Sequence, residues 1–131
     1  MKLSHIDHVA IRVRDLELSA AWYERVLGMQ RFQPPEWQPF PVFMVLGDFG
    51  IALFPVNADH EEEKPRGTGL EGDHYAFRSA PEDFQEAINH FRTLGIPFIY
   101  KNHIYFESIY FYDPDGHELE ITSPLPKFFG Q

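Results

Sequence analysis

The chain has 131 residues, 44% of them hydrophobic, with 13 Phe, 20 acidic residues against 11 basic ones and a formal net charge of -9. That length and apolar content suit one globular domain with a real core, and the acidity argues against a nucleic-acid partner, whose phosphates ask for Lys and Arg. There is no cysteine, which excludes disulfides and thiolate metal ligands; no apolar run is long enough to span a bilayer and no secretory pattern is visible, so a cytoplasmic protein without a membrane partner is expected.

Residues 6–13 alternate. Val9, Ile11 and Val13 share one face, and His8, Ala10 and Arg12 share the other, which predicts a strand with one buried side. Asp15 reads as an N-cap. Leu16, Ala20, Tyr23 and Leu27 follow at helical spacing, and Gly28 closes the helix. A second strand is predicted over 29–32. A loop with three prolines covers 33–40. A hairpin over 41–46 and 50–54 turns at Gly47-Asp48-Phe49. Residues 57–72, with His60-Glu61-Glu62-Glu63 and several glycines, read as a polar linker.

The pattern then returns. Asp7-His8-Val9-Ala10-Ile11-Arg12 is matched by Asp73-His74-Tyr75-Ala76-Phe77-Arg78, four identities in six positions. Ser79 and Glu82 read as a capping box with Pro81 in the first turn. Phe84, Ala87, Ile88, Phe91 and Leu94 form a helical stripe that ends at Gly95, and a strand follows over 97–101. The last hairpin turns at Asp113-Pro114-Asp115-Gly116, with Ile109 and Phe111 on one face and Ser108, Tyr110 and Tyr112 on the other. Beyond the turn, Leu119 and Ile121 oppose Glu118, Glu120 and Thr122. The expectation is an α+β fold: two βαβββ modules in tandem (4–56 and 73–124), forming a cupped mixed sheet with helices on the outer face. Residues 125–131 are a tail with no assigned role.

On the polar faces stand His8, Arg12, His74, Arg78, Tyr110, Glu118, Glu120 and Thr122. His8 and His74 are equivalent by the repeat, and Glu120 lies on the last strand. Two imidazoles and one carboxylate can hold a divalent metal with positions left open; taken singly, each is equally an ordinary surface residue. Arg12 and Arg78 can orient an anion or simply tie a sheet edge. Tyr110 can donate to a bound oxygen or act as a plain rim residue. Trp37, Phe40 and Phe43 can wall a pocket or pack a loop. His5, His60, His90, His103 and His117 read as surface or loop residues.

Asp7 to Ile11, the helix end from Tyr23 to Gly28, Asp73 to Phe77, and above all Asp113-Pro114-Asp115-Gly116-His117-Glu118-Leu119-Glu120-Ile121 resemble the vicinal oxygen chelate superfamily. That group includes glyoxalase I, extradiol ring-cleaving dioxygenases, fosfomycin-resistance enzymes and bleomycin-resistance proteins. The resemblance implies a metalloenzyme with a divalent Fe, Mn, Ni or Zn ion on His8, His74 and Glu120, a small-molecule substrate bound through adjacent oxygens, and a homodimer. From residue type and strand face, Arg12 and Tyr110 are the candidate catalytic residues. The fourth ligand of glyoxalase I falls on Ala52 by family alignment and on Phe54 by the repeat offset, and neither can ligate. Ring-cleaving dioxygenase-like chemistry or thiol-transferase/lyase-like chemistry then remain, with a metal-free bleomycin-resistance-type binding protein as the alternative.

Overall fold

A computed structural model describes residues 1–56 and 72–130. The linker expectation, with His60, lies outside the described residues apart from Gly72. The chain divides into two compact units, residues 1–66 and 67–131.

In unit one, β1 (His8–Val13) leads into α1 (Leu16–Leu27), then β2 (Gln30–Phe32), β3 (Val42–Leu46) and β4 (Phe49–Pro55). The strand order is β1-β4-β3-β2, with β1 parallel to β4 and the other pairs antiparallel. The helix starts where expected: the Leu18 amide donates to Asp15 Oδ1 at 3.0 Å. It stops at Gly28, whose φ of 67° suits a residue without a Cβ. α1 packs on β2, β3 and β4. Its buried face carries Ser19, Ala20, Trp22, Tyr23 and Val26, so the stripe centres on Tyr23 while Leu16 and Leu27 are only half-buried. A short 3-10 turn, Pro35–Trp37, interrupts the predicted loop.

Unit two repeats the plan: β5 (Tyr75–Arg78), α2 (Phe84–Leu94), β6 (Ile99–Asn102), β7 (Phe106–Tyr112) and β8 (Glu118–Pro124), in the order β5-β8-β7-β6. Phe84, Ile88 and Phe91 are the buried residues of α2. Phe91 meets Phe111 of β7 edge to face, ring centroids 4.6 Å apart. Two sheets in the same order, each with one parallel pair at the same place, confirm the α+β fold of tandem modules.

The capping box is a correction. A 3-10 turn, Pro81–Asp83, precedes α2 and is closed by the Asp83 amide on the Ala80 carbonyl at 3.0 Å. Ala80 caps that turn and Asp83 caps α2, neither with a side-chain bond to the helix, and the Ser79 hydroxyl donates to the Ala80 carbonyl instead. The last hairpin turn gains an anchor beyond its proline and glycine. Buried Asp113 accepts from the Asp115 and His117 amides through Oδ1, both at 2.9 Å. The tail forms a 3-10 turn, Pro126–Phe129. Phe128 sits 4.7 Å from the Phe106 ring, and the Arg78 guanidinium lies over both rings.

Candidate metal centre

The repeated Asp-His pair has a physical meaning that spacing alone does not show. His8 Nδ1 lies 2.9 Å from Asp7 Oδ2, and His74 Nδ1 lies 2.6 Å from Asp73 Oδ2. In each module the aspartate accepts from Nδ1–H and so leaves Nε2 as the ring atom available to a second partner. A carboxylate behind an imidazole is the usual support of a metal-ligating histidine.

In unit two Nε2 of His74 meets Glu120 Oε1 at 2.9 Å. The Glu120 side chain is 10% exposed. Its other oxygen accepts from Ser108 Oγ at 2.6 Å, and Ser108 Oγ also lies 2.9 Å from Thr122 Oγ1. Ser108 is fully buried, so its hydroxyl is spent on holding this acid. Two donor atoms, each about 2.1 Å from a shared ion and at right angles, stand about 3 Å apart. The spacing of His74 and Glu120, with each ligand's spare atom already bonded, fits a divalent metal. Asp73, His74 and Glu118 also bring donor atoms within 4.8 Å of one another. Asp73 is occupied as the Nδ1 partner and is exposed, whereas Glu120 is buried and faces Nε2.

Without an ion, His74 is held above the ordinary imidazole range, first by the Asp73 hydrogen bond and then by the Glu120 charge and hydrogen bond, against the opposing effect of burial. Burial, followed by the Glu120 charge, pushes the Tyr110 phenol up as well. Tyr110 is thus a neutral hydrogen-bond donor at neutral pH. It pairs with Glu120 across β7 and β8, and its ring meets His74 edge-on at 5.8 Å. A cleft of about 210 Å³ opens beside it, with Ile99, Lys101, Tyr112 and Glu118 in the lining.

The pairing register places Ala76 opposite Glu120 and Ala10 opposite Ala52. Ala76 and Ala10 each lie two residues past the module's histidine, so Ala52, not Phe54, is the equivalent of Glu120. The strand-to-strand interval is two residues longer in unit two, which is why the simple offset misleads. Phe43 pairs with Ala52 as Tyr110 pairs with Glu120. Phe43 lies edge-on to His8 at 5.5 Å, with Trp37 6.1 Å beyond it. Unit one therefore keeps the histidine and replaces the acid and the phenol with an aromatic wall. Gly50 makes room for it, since a Cβ there would overlap the Phe43 ring.

Arg12 donates to the Pro55 carbonyl at 2.9 Å and lies over the Phe54 ring, so it ties the end of β1 to β4. Arg78 lies over the Phe106 and Phe128 rings. His103, read from the sequence as a loop residue, bonds Tyr110: Nε2 lies 2.8 Å from the phenol oxygen. Nothing in local spacing announces that contact, because the hairpin makes it. Asp7, Asp73 and Ser108 were likewise missed as supports, though the repeat itself marked both aspartates.

A family model described as Glyoxalase/Bleomycin resistance protein/Dioxygenase superfamily matches residues 5–121. The chain is 29% identical over 121 residues to a glutathione transferase FosA of Serratia marcescens, covering 91% of this chain and 80% of that protein. It is 25% identical to a glyoxylase I 4 of Arabidopsis thaliana, covering 94% and 72%. Among solved structures, a lactoylglutathione lyase from Agrobacterium tumefaciens superposes with a TM-score of 0.74 at 25% identity over all of both chains. The fosfomycin resistance protein FosX of Listeria monocytogenes superposes at 0.69 with 20% identity, covering 96% and 98%; that likeness is one of fold.

Proposed function

We propose that this chain, which belongs to the Glyoxalase/Bleomycin resistance protein/Dioxygenase superfamily, is a metal-dependent enzyme acting on a small substrate through two adjacent oxygen atoms. His74 and Glu120 hold the divalent ion, and His8 is the third ligand. The observation that carries the proposal is the hydrogen-bonded series Asp73–His74–Glu120–Ser108. It spends four side chains on fixing one nitrogen and one oxygen about 3 Å apart. Support for His8 is its place in the repeat and its own aspartate partner.

The ion, once bound, supplies Lewis-acid charge to the substrate oxygens. Fe, Mn, Ni and Zn all accept two imidazoles and a carboxylate. Tyr110 donates its proton to a substrate oxygen beside Glu120 and orients it. Arg12 enters only as the tie that holds the end of β1 to β4. The aromatic wall of Phe43 and Trp37 excludes water from the apolar part of the substrate.

Thiol transfer is favoured over ring cleavage and over glyoxalase-type proton shuttling. A glutathione transferase among the relatives supports thiol transfer. Shuttling a proton between two opposed protein groups asks for a second carboxylate, and Ala52 stands at that place. A homodimer in the cytoplasm completes the proposal. The rival is a metal-free binder, supported by the aromatic wall and the acidic charge.

Metal analysis of purified protein separates the two. The wild type is expected to hold about one ion per chain, and His74→Ala and Glu120→Ala to lose it. Full metal content in both variants would sink the metal centre, and a wild type that takes no ion favours the binder. Consumption of glutathione in the presence of small epoxides or dicarbonyls, set against oxygen uptake with catechols, then selects the reaction.

A further inference from the structure

The turn between β6 and β7 is built at a conformational cost. Ile104 has a φ of 75°, a left-handed conformation that a β-branched residue adopts rarely and at an expense of order 1–3 kcal/mol. Four hydrogen bonds hold it there. The Ile104 amide donates to Asn102 Oδ1 at 2.8 Å. The Tyr105 amide donates to the His103 carbonyl at 2.8 Å, and the His103 amide to the Phe106 carbonyl at 2.7 Å. The Leu125 amide donates to the Tyr105 carbonyl at 2.8 Å, so the tail clamps the turn from outside. Isoleucine contributes no chemistry in return, since its side chain is exposed. The product of the strained turn is the placement of its neighbour: His103 Nε2 reaches the Tyr110 hydroxyl at 2.8 Å, and the two rings stand perpendicular, 6.1 Å apart.

Tyr110 is held on its other sides too. His74 lies against its ring edge-on and the Lys101 ammonium lies 5.3 Å over its face. The phenol oxygen has one proton and two lone pairs. If it gives the proton to an imidazole, it has none for a ligand. If the imidazole gives it a proton, its own is free to point elsewhere.

We infer that His103 is the positioning residue of Tyr110: Nε2–H donates to the phenol oxygen and directs the phenol's single proton toward a ligand oxygen bound beside Glu120. The inference rests on the metal-centre proposal above and adds to it the residue that orients the donor. The ligand class it implies is an anionic or polarised oxygen, one of an adjacent pair, that accepts a hydrogen bond from Tyr110.

The test uses full-length protein loaded with Mn(II) and titrated with 4-nitrocatechol, a coloured probe with two adjacent oxygens, read by its visible absorbance. His103→Leu and Tyr110→Phe are each expected to weaken probe binding about tenfold, in the range of a lost hydrogen bond to a charged group. The double variant is expected to be no weaker than either single one, because both remove the same interaction. His103→Gln, which keeps an N–H donor, restores most of the binding. Mn(II) affinity is expected to stay the same throughout, which a general loosening of the module would not allow. Unchanged probe binding in His103→Leu, or losses that add in the double variant, would overturn the inference alone. A wild type that takes no Mn(II), or whose Mn(II) form ignores the probe, would overturn the metal-centre proposal and this inference together.

Discussion

Ser108 and Asp73 have no route to a substrate in the proposed chemistry, yet each sets the direction of a ligand atom. Ser108→Ala removes a buried hydroxyl that donates to Glu120, and the buried acid then loses a partner worth about 1–3 kcal/mol. Loss of metal affinity by about 10–100-fold is expected, read by competition with a chromogenic chelator. Asp73→Asn should do the same with little change in fold, because the amide still accepts from Nδ1–H but lacks the charge. A different residue pair gives the acid limb of stability. Arg31 makes two bonds to Glu17, at 2.6 and 2.8 Å. The hydrogen bond to Arg31 holds the Glu17 carboxyl below its usual range. Its contribution is therefore complete above the ordinary glutamate pKa and disappears as pH falls through the lowered one. Both side chains are largely solvated, so a double-mutant cycle in urea at pH 7 should read only about 0.2–1 kcal/mol, shrinking toward zero in strong acid.

At the scale of elements, Phe91 anchors α2 together with Phe84 and Ile88. Phe91 is 1% exposed and has Phe98 and Phe111 against its edges and faces. Phe91→Ala is expected to cost about 3–5 kcal/mol in denaturant unfolding. Gly50→Ala tests the aromatic wall: its Cβ would meet the Phe43 ring, and an overpacked site costs about 1–3 kcal/mol. A Phe43→Ala background should remove that cost, which the double variant's unfolding midpoint checks. These elements differ in how plainly the chain announces them. Alternation in β1 and β8, the Asp15 and Gly28 ends of α1, and the doubled Asp-His motif lie within short windows, and backbone sterics alone translate them. The start of α2 was placed four residues early because Pro81 fits a 3-10 turn as well as a helix. His103 on Tyr110 was invisible because β6 and β7 must first pair before the two meet. The tail was silent for the same reason: its partner, Arg78, lies far back in the chain.

For the molecule as a whole, the proposed ion is also a stabiliser. Anything bound only by the folded state adds RT ln(1 + [L]/Kd), about 2.7 kcal/mol at a hundredfold excess over Kd. Thermal unfolding of the wild type is expected to rise by several degrees with saturating Mn(II), and that of Glu120→Gln to stay flat. Among the described residues no helix is long and apolar enough to cross a membrane, and the net charge of -9 attracts cations generally, so the flat response of the variant is the control that separates a built site from diffuse attraction. Candidate ligands were readable from residue type and repeat, and the repeat marked their aspartates; the support from Ser108 was not readable, since a serine twelve residues away from its acid leaves no mark in spacing.

Each of the two imidazoles is fastened by the residue immediately before it. Such a tether needs no distant part of the chain, so the rings are oriented as soon as their own strand has formed. Two copies of the protein that traded halves would surrender nothing of this readiness, and a descendant whose second half drifted would still inherit a nitrogen already aimed. Evolution by doubling is easiest when the part copied carries its own brace.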